Sequence, residues 1–308
     1  MIGGLMKGGL MKASYLQSTL RWSVATGLLV WCISGAVQAD AAELYGTLKK
    51  VKEKGQIVIG FPESSPPFAS YDASKKPAGY AIDICMRVVD TIKRDISAPD
   101  LQVNFVPINS STRMALLANG TIDLECGSTT NTLSRQEQVD FSMMHFVSST
   151  RCLVKTGSGI KEIDDFSNKV VALAQGANTV GVINGWVQKL KIPNVKILNI
   201  SNFSEGLLAV DSDRADAFCS DDAILYTLRQ KSPARDRLEV VGRPLSFEPY
   251  GLMMRRDDSA FRLTVNKTLA ELFRSGEITS LYHKWFDQFG IPLSEKLETV
   301  FQAQAVPQ

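Results

Sequence analysis

Histidine is nearly missing from this chain: 308 residues contain two, His145 and His283, and they stand far apart. None of the five cysteines falls in a CxxC pair. Together these exclude a zinc site of ordinary ligand spacing. No G-x-S-x-G, H-E-x-x-H or phosphate-loop string occurs, so the common hydrolase, zincin and nucleotide chemistries have no foothold and no cofactor is called for. Net charge is also slight: 34 basic residues face 32 acidic ones, too even a balance for a nucleic-acid or anionic-membrane surface. No stretch repeats, and no low-complexity linker divides the chain. The longest apolar run, Trp22 to Val37, is 16 residues, short of the roughly 20 that span a bilayer.

That run follows Lys7, Lys12 and Arg21 and closes on Ala36-Val37-Gln38-Ala39 before Asp40. A basic start, an apolar middle and small residues before a cut describe a secretory signal peptide, with cleavage expected after Ala39. A start at Met6 or Met11 leaves that logic intact. Cys32 is not read as a lipoprotein site, because bulky Trp31 precedes it. Removing the segment leaves 31 basic residues against 32 acidic ones and a mature chain of 269 residues, enough for two cores. Its four cysteines, Cys85, Cys126, Cys152 and Cys219, allow three pairings in an oxidising compartment, and buried free thiols are an equal alternative.

The chain is organised around Arg113 to Arg135, RMALLANGTIDLECGSTTNTLSR. A short amphipathic helix stops at Asn119-Gly120, an apolar strand runs from Ile122 to Cys126, and Gly127 to Asn131 is small and mostly hydroxylic. Arg135 follows one helical turn later. Hydroxyls, backbone N–H groups and a planar guanidinium suit a carboxylate. The plainer alternative is a strand-to-helix turn whose Ser and Thr cap the helix.

The flanking chain alternates strands with helices, which predicts parallel sheets with ligands at the strands' carboxyl ends. Strands are expected over 56–60 and 101–107, with a helix from Gly79-Tyr80 to about Lys93. Asp83 is read as a helix-start acid with a structural role. Polar loops 61–68, 108–113 and 127–135 converge on one edge, with Phe68 turned inward or toward a cleft. Further on, Lys169 to Ala174 ends in Gln175-Gly176-Ala177-Asn178-Thr179 at a helix N-terminus, another place for a carboxylate. Asn202 to Glu205 caps a helix through 213. Ala215 to Cys219 ends in Ser220-Asp221-Asp222. The tail 291–308 is weakly patterned.

The ECGSTTN string, the Gly79-Tyr80…Asp83 helix start and the SGEITSLYHKWF string (275–286) resemble the bacterial extracellular solute-binding proteins of family 3, and within them the glutamate/aspartate-binding branch. The resemblance covers nearly the whole mature chain. It implies an α/β, two-lobed periplasmic-binding fold of the Venus-flytrap type, each lobe a mainly parallel sheet flanked by helices. Two crossover strands would join lobe one (40–147 and 246–308) to an inserted lobe two (148–245). It further implies a monomeric periplasmic receptor that hands an amino acid to the membrane permease of an ABC importer. Arg135, with Ser128 and Thr130, would hold the α-carboxylate, and Asp221 of the opposite lobe the ammonium. Ser110 and Arg113 would meet the side chain, with Asn178, Thr179, Phe203 and Phe68 completing the lining.

Two positions depart from the branch. Pro62 stands where the branch's H-R-E-S-S string has arginine, and Phe203 where it has a ligand-facing histidine. Glutamate or aspartate is the expected ligand, and a neutral polar amino acid such as glutamine or asparagine the alternative. A periplasmic enzyme on the same fold, such as a dehydratase using Glu63 or a buried Glu125 as general acid, is the competing class.

Overall fold

The computed structural model describes residues 43–307; the signal segment and Cys32 lie outside them. Lys49 to Lys54 is strongly basic at its end, and Gly55 in the left-handed conformation (φ 62°) stops α1 (Gly46–Lys54). The chain then lays down β1 (Gln56–Pro62), β2 (Ser64–Ser65), β3 (Ala69–Tyr71) and β4 (Pro77–Ala78), and enters α2 (Tyr80–Asp95). β5 (Gln102–Ile108), α3 (Arg113–Ala118), β6 (Leu124–Glu125) and α4 (Leu133–Gln136) follow, leading to β7 (Val139–Ser148). The loop expected over 61–68 is therefore partly a small sheet, in which β3 pairs β2 and β4.

After Ser149 the chain builds a second sheet: β8 (Thr150–Lys155), β9 (Val170–Ala174), α5 (Thr179–Lys189), β10 (Lys196–Ile200), α6 (Phe203–Asp211), β11 (Ala217–Asp221), α7 (Asp222–Lys231) and β12 (Leu238–Val241). It returns as β13 (Glu248–Arg255) and closes with α8 (Ser259–Ser275), α9 (Glu277–Phe286) and α10 (Glu295–Ala303). The first sheet has the order β5-β1-β6-β13-β7 and the second β10-β9-β11-β8-β12. In each, four strands run one way and one runs against them, β13 in the first sheet and β8 in the second. The antiparallel strands are those next to the crossings, where the chain leaves one sheet for the other and comes back. Two sheets joined by two crossings give a two-lobed α/β fold.

Four features fix the cleft-side loops. Cys85 of α2 is bonded to Cys126, and Cys152 of β8 to its cross-strand partner Cys219 of β11. The first bond clamps the loop that begins at Gly127 to a buried helix. Asn131 N–H donates to the Pro249 carbonyl (2.7 Å) and Gly251 N–H to that of Thr129 (3.3 Å), tying the same loop to β13. Asp83 is not a cap: its carboxylate accepts from Lys284 Nζ and Trp285 Nε1, both at 2.6 Å, and so fastens α9 to α2. Below these loops an aromatic cluster fills the first core. Phe68 meets Phe146, Tyr250, Phe286 and Tyr80 edge-on at centroid distances of 4.7 to 6.3 Å, a geometry that adds about 0.5–1.5 kcal/mol per pair to area burial. His145 lies against Tyr80 and Tyr250, and burial pushes its imidazole down to about 3, so it is neutral in this core.

The weakly patterned tail becomes a helix. Ser294 Oγ caps it by accepting from Leu297 N–H, and Leu297 and Phe301, one turn apart, are buried. Phe301 stacks on Phe273 (5.5 Å), and the Gln304 amide bonds both backbone groups of Met144.

Candidate functional site

Arg135 sits on the single turn of α4, whose N-terminus is capped by Thr132. It is buried, with Nη1 donating to the Thr130 carbonyl (2.7 Å) and Nη2 reaching across to the Gly176 carbonyl of the second sheet (3.2 Å). Arg113 opens α3 and is also buried; its Nη1 donates to Thr129 Oγ1 at 2.6 Å, while its Nε has no partner. Ser128, Thr129 and Thr130 line the same turn and are buried. The hydroxyl-rich loop and both arginines thus come together as expected.

On the facing side Asp221 ends β11. It occupies the cap position of α7, yet its side chain makes no capping bond, so helix capping does not account for it. Burial pushes its carboxyl up to about 7, and the neighbouring Glu248 adds to this while Tyr250 and Arg135 oppose it. Burial likewise lowers Arg135 to about 10, with Arg113 adding and Asp221, Glu125 and Glu248 opposing. Two arginines and an acid from the opposite lobe therefore feel one another's charge in a buried setting.

The remaining expected residues take different places. Asn178 donates through Nδ2 to both oxygens of Glu248 (3.0 and 2.9 Å), and Thr179 is buried as the first residue of α5. Phe203 begins α6, nearly buried, and its N–H donates to Ser64 Oγ of the first lobe (3.2 Å). Ser110 is half-buried and touches the second lobe through its backbone: a Cβ on Gly176 would lie 2.6 Å from the Ser110 carbonyl oxygen. Phe68 is fully buried within the aromatic core, where Tyr250, one of its ring partners, also adjoins Asp221.

Glu248 and Tyr250 were not singled out from the sequence, and Glu125 was named only as a general acid for the enzyme alternative. Glu125 is fully buried, with both oxygens lacking a hydrogen-bond partner; burial raises its carboxyl, and Arg113 opposes that. Glu248 and Tyr250 come from the returning strand β13, and the buried Tyr250 hydroxyl adjoins Asp221. Only the fold places that strand under Asp221; its two acid and phenol side chains carry no local signal.

The sequence model of the bacterial extracellular solute-binding proteins, family 3, matches residues 57–288. An L-glutamate/L-aspartate-binding protein of Pseudomonas aeruginosa is 38% identical over 89% of this chain and 93% of its own. A glutamate/aspartate import solute-binding protein of Escherichia coli K12 is 38% identical over 90% and 95%. Among solved structures, an ancestral arginine-binding protein bound to arginine superposes with a TM-score of 0.68 at 28% identity, covering 75% of this chain and 98% of that one.

Proposed function

Because the chain belongs to the bacterial extracellular solute-binding proteins of family 3, a family of binding proteins rather than enzymes, we propose that it captures a free α-amino acid between its lobes and delivers it to the membrane permease of an ABC importer. Glutamate or aspartate is the ligand that its relatives favour. In this reading Arg135 forks the α-carboxylate with help from Ser128 and Thr130, Asp221 takes the ammonium, and Arg113 with Ser110 meets the side-chain carboxylate. The lobe limits near 147 and 246 and a periplasmic location after cleavage at Ala39 belong to the same reading.

The observation that carries it is the buried pair Arg135 and Asp221, one from each sheet. A zwitterion needs one cation and one anion a few ångströms apart, and splitting them between lobes makes the ligand itself the link that favours closure. Each charge-assisted bond adds about 1.5–3 kcal/mol net. Three or four of them, after ordering costs, reach the roughly −8 kcal/mol of a micromolar site.

A neutral polar ligand is a second reading, favoured by the uncharged wall that Pro62 and Phe203 form where the resembling branch carries cations. A thermal-shift panel of the twenty amino acids, on mature protein freed of ligand by unfolding and refolding, separates the two. Selective shifts with glutamate and aspartate are expected. Arg135→Ala should abolish the response to every amino acid, and retained affinity would refute the carboxylate assignment.

A further inference from the structure

Beyond Ser110 the cleft opens into a cavity of about 470 Å³, within the roughly 300–1,000 Å³ of sites that hold small ligands. Its first-lobe wall includes Pro62, Ser65, Ser110 and Leu116, and Asn202 and Phe203 close it from the second lobe. Glu63 is the one charged residue among those lining it. A free carboxylate extending into this space would meet an acid and no cation.

The wall is nonetheless built to meet something polar. Ser65 is completely buried, and its hydroxyl has no hydrogen-bond partner, an unfavourable arrangement unless a partner arrives. Ser64 is already engaged with Phe203 N–H, whereas the neighbouring Ser65 hydroxyl is unpaired. Around it, Pro62, Leu116 and Phe203 supply apolar surface. Arg113, which follows Thr112 of the cavity wall, is anchored on Thr129 and shares its surroundings with buried Glu125, so its donors can serve a carbonyl oxygen without a full negative charge opposite.

Resting on the amino-acid reading above, we propose that the cavity accepts a neutral substituent carried on the ligand's distal carbonyl, so that the protein binds γ-amides of glutamate, N-alkylated glutamines, beside the free acid. The α-carboxylate and ammonium keep Arg135 and Asp221. The γ-carbonyl oxygen lies under Arg113, the amide N–H or a water on it bonds Ser65, and the alkyl group packs on Pro62, Leu116 and Phe203.

Isothermal titration of the full mature chain with glutamate, glutamine, γ-N-methylglutamine and γ-N-ethylglutamine tests this. The ethylamide should bind within about tenfold of glutamate. Leu116→Trp fills the cavity and should weaken the ethylamide by at least about thirtyfold while changing glutamate by less than about threefold. Ser65→Ala, which leaves the packing undisturbed and so serves if the tryptophan variant misfolds, should cost both N-alkyl amides about five- to tenfold and spare glutamate. Glutamate binding without any heat from the amides overturns the extension alone, as does equal weakening of acid and amide by both variants. Silence from all four compounds overturns the amino-acid reading and the extension with it. Binding of the amides without glutamate supports the cavity's role and removes glutamate as the ligand.

Discussion

If Asp221 waits for an ammonium, the empty protein should close more readily in acid. The structure has its lobes in contact, with Arg135 bonded to Gly176 and Phe203 to Ser64, and in this closed arrangement burial and Glu248 push the Asp221 carboxyl up to about 7 from its ordinary 3.8. Opening the cleft returns it to water and to the ordinary value. Between those two values the closed form keeps the proton and the open form does not, so closure gains as pH falls through this window and the full cost applies above it. At about 1.4 kcal/mol per unit, burying the ionised group opposes empty closure by roughly 4 kcal/mol at pH 7.5 and by roughly 1.6 kcal/mol at pH 5. The difference of about 2.5 kcal/mol multiplies the closed-to-open ratio of the empty protein roughly seventyfold. The groups facing Asp221, namely Glu248, Asp222, Tyr250 and Arg135, act in both directions and are included in that value. Single-molecule energy transfer between dyes on the two lobes reads the ratio directly. Asp221→Asn, which carries no charge to bury, should close without ligand at pH 7.5 and lose the pH dependence. An empty wild type whose closed fraction is the same at pH 5 and 7.5, while glutamate still closes it, would refute the reasoning.

Gly176 holds a left-handed φ of 78° and lets the Ser110 and Ser111 backbone approach to where a Cβ would be 2.6 Å from a carbonyl oxygen; Gly176→Ala should therefore hinder closure, with ligand affinity in titration falling about tenfold or more and the melting temperature of the empty protein changing little. Arg113→Met should weaken glutamate by about a hundredfold, roughly the value of a charge-assisted bond to a carboxylate, and glutamine far less; an even loss in a side-by-side titration would make Arg113 structural. Opening the Cys85–Cys126 bond, which encloses a separation of 41 residues, removes about 4 kcal/mol on chain-entropy grounds. The paired Cys85→Ser, Cys126→Ser variant should melt well below the wild type in calorimetry and bind amino acids more weakly, since its ligand loop loses a clamp.

Much of the site was legible because its chemistry is local. Hydroxyls at 128–130 and a guanidinium at 135 announce an anion loop within eight residues, and Asp221 stands at a strand end where the pattern changes from apolar to polar. What escaped is whatever depends on pairing across the chain. Glu125 looks like the last residue of a strand; that it is fully buried without a hydrogen-bond partner follows from its pairing beside Gly60 and Met253. Glu248 and Tyr250 enter the site only because β13 returns between β6 and β7. Cys152 and Cys219 face one another in an antiparallel register that no spacing rule reveals. Asp83 was read from its place at a helix start, where the dipole favours an acid, but two donors from α9 outbid that local preference. Helix α10 was missed because nine residues give too few turns for a convincing stripe, and its stability comes from docking on β7 and α8.

The two adjacent acids at the junction of β11 and α7 make contacts of different kinds. Asp221 faces the arginines. Asp222, the next residue, accepts from Ser148 Oγ (2.6 Å) and Ser149 Oγ (2.9 Å), and its N–H donates to the Ser149 carbonyl (2.9 Å). Ser148 and Ser149 are where the chain passes from the first sheet to the second. On the returning pass, Glu248 takes Asn178 from the loop that also presents Gly176 to Arg135. Both crossings are thus hydrogen-bonded to groups within two residues of the cleft's charged contacts. A rotation of the second lobe that separates Asp221 from Arg135 turns about crossings whose bonds are held by Asp222 and Asn178. Hinge and cleft contacts therefore lie side by side along the chain, and a change at Asp221 acts one residue away from a crossing bond.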